Sequence, residues 1–283
     1  MIFQILAIVA CLVLAAAVGV YIVQREYERS SAEELALRVE FNRNIANGNY
    51  DTVETMLRDD PKLVNLPLSK NAREYAELVN DETPLIAARS DVRMVRLLLD
   101  NGADVNQPTP ISHRYPITSV LASGSSERID IAWLYISKGA DLGCEDYVNG
   151  TVPYAIVSSP CESYDALQKA AEDLMKHALK KGGSLYIPEK PSSVYTSLLG
   201  LAAENNYYRI IEDFARSKTF DVNEKVTVDN KTALMVAAKS GNYYTVDFLV
   251  YYGAREHYKD DYGRTAYDYA KLSGDKRTID FLS

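Results

Sequence analysis

Very little in this sequence is suited to chemistry. Its 283 residues include three cysteines, three histidines and one tryptophan. His113, His177 and His257 are widely separated and show no metal-binding spacing of the H-E-x-x-H kind, so polar surface or capping positions account for them. No glycine-rich phosphate loop and no G-x-S-x-G elbow occurs, which removes two large enzyme classes. Basic residues are in deficit: 31 Lys and Arg stand against 39 Asp and Glu, for a formal net charge of −8. With no basic stripe, the chain is a poor binder of a phosphate backbone. These absences lead to the expectation of no enzyme activity, no cofactor, no metal, no small-molecule substrate and no nucleic acid.

What is present divides into two kinds of sequence. The first is the run Ile2–Val23, uncharged and with Gln4 as its one strongly polar residue. At ~1.5 Å per residue it can span a ~30 Å hydrocarbon core. It is longer than a signal-peptide core and lacks a basic leader, so it reads as an uncleaved anchor over residues 1–24. Residues 25–37 read as a juxtamembrane linker or helix. Arg25, Arg29, Arg38 and Arg43 follow the span, and the positive-inside rule draws them toward the cytosol. A bacterial N-terminal anchor also serves as an export signal, which draws the body toward the periplasm.

The second kind is periodic. "TALMVAAKSG" at Thr232 is followed by "RTAYDYAKLSG" with its Thr at Thr265, an interval of 33 residues. Related starts lie at Thr83, Tyr115, Thr151 and Ser197. Second apolar runs closed by glycine follow several of them, at Gly102, Gly139 and Gly253. Thr at a helix start caps free amides, and Pro84 falls where a missing N–H costs nothing. Leu234, Ala237, Val246 and Leu249 recur at helical spacing to make one apolar face. One such helix pair cannot bury its own face, but a stack can.

"ETPLIAARSDVRMVRLLLDNGADVN", Glu82–Asn106, resembles the ankyrin repeat in nearly every mark, with a first helix about two residues short. The resemblance covers residue 38 to the C-terminus. It implies an all-α ankyrin-repeat solenoid of helix pairs with hairpin loops, preceded by one transmembrane helix. Residues 38–283 hold about seven repeats, the fourth divergent and carrying an insertion around Cys161. Cys144 and Cys161 pair there if the body lies in an oxidising compartment, and remain thiols if it is cytosolic.

The family's variable surface is the hairpin tips and the ends of the first helices. Carried over by register, it points to Ile111, Ser112, Arg114, Tyr147, Val148, Val228, Asp229, Lys231, Asp261, Tyr262 and Arg264 on the tips. On the helices it points to Arg89, Ser90, Ala122, Ser123, Glu204, Asn205, Lys239 and Ser240. The pairs Tyr207–Tyr208, Tyr243–Tyr244 and Tyr251–Tyr252 read as padding on the outer side. The resemblance implies a protein partner. Acidic, membrane-tethered chains of this kind resemble the immunity partners of interbacterial lipase effectors, which makes a secreted toxin or effector one expected partner. Localisation then follows as a single pass through a bacterial inner membrane, with the repeats facing the periplasm. A cytosol-facing adaptor that recruits an envelope or signalling complex is the alternative. Fusing alkaline phosphatase after Ser283 tests the orientation: an active fusion is expected, and an inactive one paired with a fluorescent cytosolic reporter reverses it.

Overall fold

The computed structural model describes residues 32–65, 81–89, 91–146, 148–161, 165–185, 187 and 194–283. The expected anchor, residues 1–24, lies outside the described residues, as do Ser90 and Tyr147. Among the described residues no helix is long and apolar enough to cross a membrane.

Helices come in consecutive pairs. The first comprises α1 (residues 32–46) and α2 (Tyr50–Asp59), closed by a 3-10 turn at Pro61–Val64. Then follow α3 (Pro84–Ala87) with α4 (Val92–Asp100), and α5 (Pro116–Leu121) with α6 (Arg128–Ser137). A two-stranded hairpin, β1 (Glu145–Asp146) and β2 (Gly150–Thr151), leads into α7 (Val152–Val157) and the longer α8 (Asp165–Lys180). The last pairs are α9 (Leu198–Glu204) with α10 (Tyr208–Ser217), α11 (Ala233–Ser240) with α12 (Tyr243–Tyr251), and α13 (Ala266–Ser273) with α14 (Lys276–Phe281).

Local chemistry sets the starts. Thr83, Thr151 and Thr232 each accept an amide three residues on, satisfying a donor the helix cannot. At Thr265 the cap is reciprocal: its hydroxyl accepts the Asp268 amide while the Asp268 carboxylate accepts the Thr265 amide. α11 ends at Gly241, whose φ of 69° is costly for any residue with a Cβ.

Packing follows a simple rule. From the second pair onward, each first helix packs on its own partner and on the neighbouring first helices, and the second helices from α6 on do likewise. The result is a one-dimensional stack with one continuous core. Small side chains allow close approach: Ala237 and Ala238 are fully buried where α11 meets its neighbours. Tyr207 departs from the expected outer padding. It is fully buried, and its hydroxyl donates to the Ile156 and Ser159 carbonyls at 2.5 and 2.9 Å. Arg128, also buried, reaches that hydroxyl at 3.2 Å and the Pro160 carbonyl at 3.0 Å. These bonds make Tyr207 a polar tie between pairs.

The disulfide envisaged between Cys144 and Cys161 is absent. Cys144 precedes the hairpin that opens α7, and Cys161 follows α7's far end. Six helical residues alone span ~9 Å, beyond the ~7 Å limit between bridged Cα atoms. Both residues are buried, and burial, with Asp141 and Asp146 nearby, pushes the Cys144 thiol up to about 12.

A repeated asparagine stitches the stack. The Asn65 amide nitrogen donates to the Gly102 carbonyl (3.1 Å), and its oxygen accepts the Asp104 amide (2.7 Å). Asn106 does the same to Gly139 and Asp141, at 3.0 and 2.7 Å. Asn223 does so to Gly253 and Arg255, at 3.0 and 2.8 Å. Both Asn106 and Asn223 are held by an aspartate two residues earlier, which accepts their amides. Gly143 sits in that same turn, donating its amide to Asp141 at 2.9 Å, but has no side chain to continue the series. A Cβ built there lies 3.8 Å from the Gly182 carbonyl, the counterpart of the Gly102 acceptor, and 3.4 Å from Asp141 Oδ1. Gly143→Asn therefore fits at ordinary contact distance. It is expected to stabilise the fold by about 0.5–1 kcal/mol, whereas Asn106→Ala should cost about 1–2 kcal/mol. Urea unfolding of both variants checks the pair of signs.

Candidate functional surface

The hairpins between pairs project a row of tips, each closed by a short polar side chain at its base. Thr109 Oγ1 accepts the Arg114 amide at 3.0 Å, and Thr227 Oγ1 accepts the Lys231 amide at 2.9 Å. Asp146 accepts the Val148 amide (2.8 Å), the Asn149 amide and the Thr118 hydroxyl. Asp260 accepts the Tyr262 and Arg264 amides, at 3.0 and 2.9 Å, and the Tyr269 hydroxyl at 2.5 Å. A carboxylate or hydroxyl at this position thus adds to the few backbone bonds that such short hairpins make.

The tips are also tied to one another. Asp81 accepts the Ile111 and Ser112 amides, at 3.1 and 2.8 Å, and the Ser112 hydroxyl. Arg114 Nη2 donates back to the Asp81 carbonyl at 2.6 Å. At the other end Asn230 Nδ2 donates to Asp261 at 2.9 Å, and the Asp261 amide to the Asp229 carbonyl at 3.3 Å. The backbone of the row is therefore fixed before any partner arrives.

On this frame most of the sequence-derived residues fall into two groups. Ile111, Val148, Val228 and Tyr262 are exposed, one large apolar side chain per tip, with Tyr262 at 67% and Val228 at 66%. Arg89, Ala122, Ser123, Glu204, Lys239 and Ser240 lie at or just past the ends of first helices; Ala122 is half-buried and the others are exposed. Arg264 stands 5.3 Å from the Tyr262 ring centre, a cation over an exposed aromatic face.

The second group is diverted inward. Asp229 and Lys231 form an ion pair within one tip, and Lys231 also lies over the Tyr269 ring at 5.5 Å. Their charges serve the hairpin before they serve a partner. Asn205 belongs to neither surface, contrary to expectation. It is buried, and its Nδ2 donates to the Val157 carbonyl at 2.8 Å while its own carbonyl accepts the Cys161 amide at 2.9 Å. Its position after a first helix gave the wrong reading because the irregular fourth pair folds over it. Tyr147 lies outside the described residues.

One residue of the row went unnoticed in the sequence. Val194 is half-exposed and its carbonyl accepts the Val228 amide at 3.0 Å, placing it beside the tip of the next pair. Pro188, Pro191, Ser192 and Ser193 precede it in the sequence as a turn signal, but the repeat register set no tip there. Among the described residues no cluster of His, Cys, Asp or Glu could hold a metal ion.

Comparison with known proteins gives consistent findings. The family model described as ankyrin repeats (3 copies) matches residues 199–283, and the single ankyrin repeat matches residues 80–110. The chain is 29% identical over 204 residues to the ankyrin repeat and KH domain-containing protein CBG24701 of Caenorhabditis briggsae. That match covers 70% of this chain but spans only 7% of the relative's length. Among solved structures, the human ASB11 ankyrin repeat domain aligns with a TM-score of 0.56 at 19% identity, covering 86% of this chain and 97% of that one. A chain from the complex of the Bd0816 predatory endopeptidase of Bdellovibrio bacteriovorus with immunity protein Bd3460 aligns with a TM-score of 0.50 at 24% identity. It covers 71% of this chain and 97% of its own. At these identities the two structures speak for the fold.

The tip carboxylates make the surface sensitive to acid. Partial burial raises the pKa of Asp81, but hydrogen bonds from Ser112 and Ile111 outweigh it and hold the group below its usual range. Asp229 and Asp260 are lowered in the same balance, burial opposed by Lys231 and Thr227 for the first and by Tyr269 and the tip amides for the second. The Thr265 amide, Lys271 and the Thr265 hydroxyl bring Asp268 to about 2. Folded values below the unfolded ~3.9 mean stability that is complete above that pH and lost as pH falls through the folded values. Thermal melts are expected to be flat from about pH 7 to 5 and to drop below about pH 4; a melting temperature unchanged down to pH 2 would contradict this account.

Proposed function

We propose, from the premise that this chain carries ankyrin repeats, that it is a membrane-held scaffold that neutralises a secreted bacterial toxin by covering it. That it is a protein-binding module follows from the repeats. The carrying observation for the rest is the row of tips, each holding one exposed apolar side chain on a backbone fixed by its own hydrogen bonds. Such a surface needs little ordering on binding, so the burial of Ile111, Val148, Val228 and Tyr262 is available as affinity. An inhibitor needs a rigid surface of this kind and no chemistry of its own.

Two further observations support the reading. The uncharged run Ile2–Val23 supplies a membrane anchor by length. A similar fold occurs in the complex of an endopeptidase with an immunity protein. The competing reading, a cytosol-facing adaptor, draws on the four arginines after the run. Arg38, one of the four, is buried within the first pair, donating to the Lys62 and Asn65 carbonyls at 3.3 and 2.9 Å.

The test is capture of partners by the full-length chain in mild detergent from the native host and its neighbours in culture, followed by titration of variants. Tyr262→Ala should weaken binding by about 2 kcal/mol, roughly thirtyfold in Kd, with stability within about ±0.5 kcal/mol of wild type. Leu234→Ala, a fully buried change, should instead cost about 2–5 kcal/mol of stability. If Tyr262→Ala, Val228→Ala and Ile111→Ala all bind as wild type does, the tips are not the interface. A captured partner that is a membrane-complex subunit with no toxic activity would favour the adaptor.

A further inference from the structure

The second helices of the last three pairs, α10, α12 and α14, carry an unbroken series of ring contacts. Phe281 meets Tyr243 at 5.7 Å between ring centres, Tyr243 meets Tyr244 at 5.7 Å, and Tyr244 meets Tyr208 at 5.8 Å. Phe248 stacks on Tyr208 at 5.5 Å. Three rings of this face are left to solvent: Tyr251 is 79% exposed, Tyr244 43% and Phe281 37%. Single exposed aromatics need no explanation, but a connected strip does. Between α10 and α12, Phe248 and Tyr252 line a shallow groove, and Tyr251 stands at its edge. One face thus holds both a projecting ring and a recess.

Charge sets this face apart from the rest of the chain. The chain carries −8, yet α10, α12 and α14 together hold four basic and four acidic residues. Half of these are engaged within the fold: Arg216 pairs with Glu212 at 2.5 Å, Asp213 with Lys176 at 2.9 Å, and Arg209 with Glu172 at 3.9 Å. The other half, Lys276, Arg277, Asp247 and Asp280, make no ion pair among the described residues. Two of each sign are therefore left over. Asp247 lines the groove, and Arg277 lies over the Tyr243 ring at 4.1 Å with no carboxylate beside it.

We propose that this face binds the same face of a second copy of the chain, in a two-fold dimer that leaves the row of tips uncovered. An isologous contact needs a patch that complements itself, with projection and recess, and acid and base, on one surface. Copies of an acidic chain repel one another as wholes, and a face whose charges balance is where they approach without that penalty. An anionic membrane surface would select a basic excess, which these helices lack. Tyrosines with an apolar body and a wet hydroxyl suit a contact that forms and separates in water. Three short helices offer a small area, which places the association in the weak, reversible class. Pairing of this kind is independent of what the tips grip.

The experiment is sedimentation velocity of the full-length chain in mild detergent at low ionic strength, where exposed charges are least screened. Wild type should pass from monomer toward dimer between about 1 and 200 μM. Asp247→Arg and Arg277→Asp should each weaken dimerisation at least about tenfold, because each sets like charges against like across the two-fold axis. An equimolar mixture of the two variants should associate at least as well as wild type, since each face then meets its opposite. Net charge alone would instead make the first variant associate more and the second less. Tyr251→Ser should weaken the dimer at least about threefold with an unchanged thermal melt. The run Ile2–Val23 is common to all these chains, so contacts made through it would survive every change. A wild type that stays monomeric throughout, variants that dimerise as wild type does, or a mixture no better than its components would each overturn the proposal.

Discussion

Everything in this fold depends on the inability of one helix pair to bury its own apolar face. The face must be covered by the next pair, and the next pair must be held at the right height. Asn65, Asn106 and Asn223 do this at the tip end of the helices, each spanning two main-chain groups of the following turn. Ser159, Asn205 and Asn242 do it at the opposite end, from the turn after a first helix to the preceding pair. Side-chain amides suit the task because one group both donates and accepts. The core then supplies the driving force and the amides supply the spacing.

Most of this was legible in the sequence because repeats write the same physics several times. A capping residue, small side chains in the first helix and a closing glycine that recur along the chain, with an interval of 33 between Thr232 and Thr265, are hard to mistake. What stayed hidden was whatever departs from the period. Asn205 occupies a position that is exposed at Ser240 in the following pair, yet the fourth pair folds back and covers it. Tyr207 looked like half of an outer tyrosine pair, but three buried polar groups converge on its hydroxyl. Sequence register gives the height of a residue along the stack; it does not give what an irregular neighbour lays on top. Val194 was lost because the repeat register set no tip there, although a Pro- and Ser-rich stretch leads up to it in the sequence.

The tips show how such a protein separates rigidity from identity. The closing residue varies between Thr and Asp, and in both cases the acceptor ties down amides of its own hairpin. The outward residue is then free to be Ile111, Val148, Val228 or Tyr262 without disturbing the loop. Ion pairs are kept inside the hairpin, as with Asp229 and Lys231, where they are partly shielded and fix geometry. The outermost side chain of each tip is left apolar or aromatic, a group that binds without rearrangement.

Gly143 leaves one junction without its tip-end amide. The stitch it omits would join the third and fourth pairs, yet other groups fasten that junction. At the tip end Asp146, in the hairpin that opens the fourth pair, accepts the Thr118 hydroxyl of the third. At the other end Ser159 holds Ala122 and Arg128 holds Pro160. A seam closed at several independent points keeps its register when one clasp is missing, so an irregular unit can be inserted into the stack without uncoupling its neighbours.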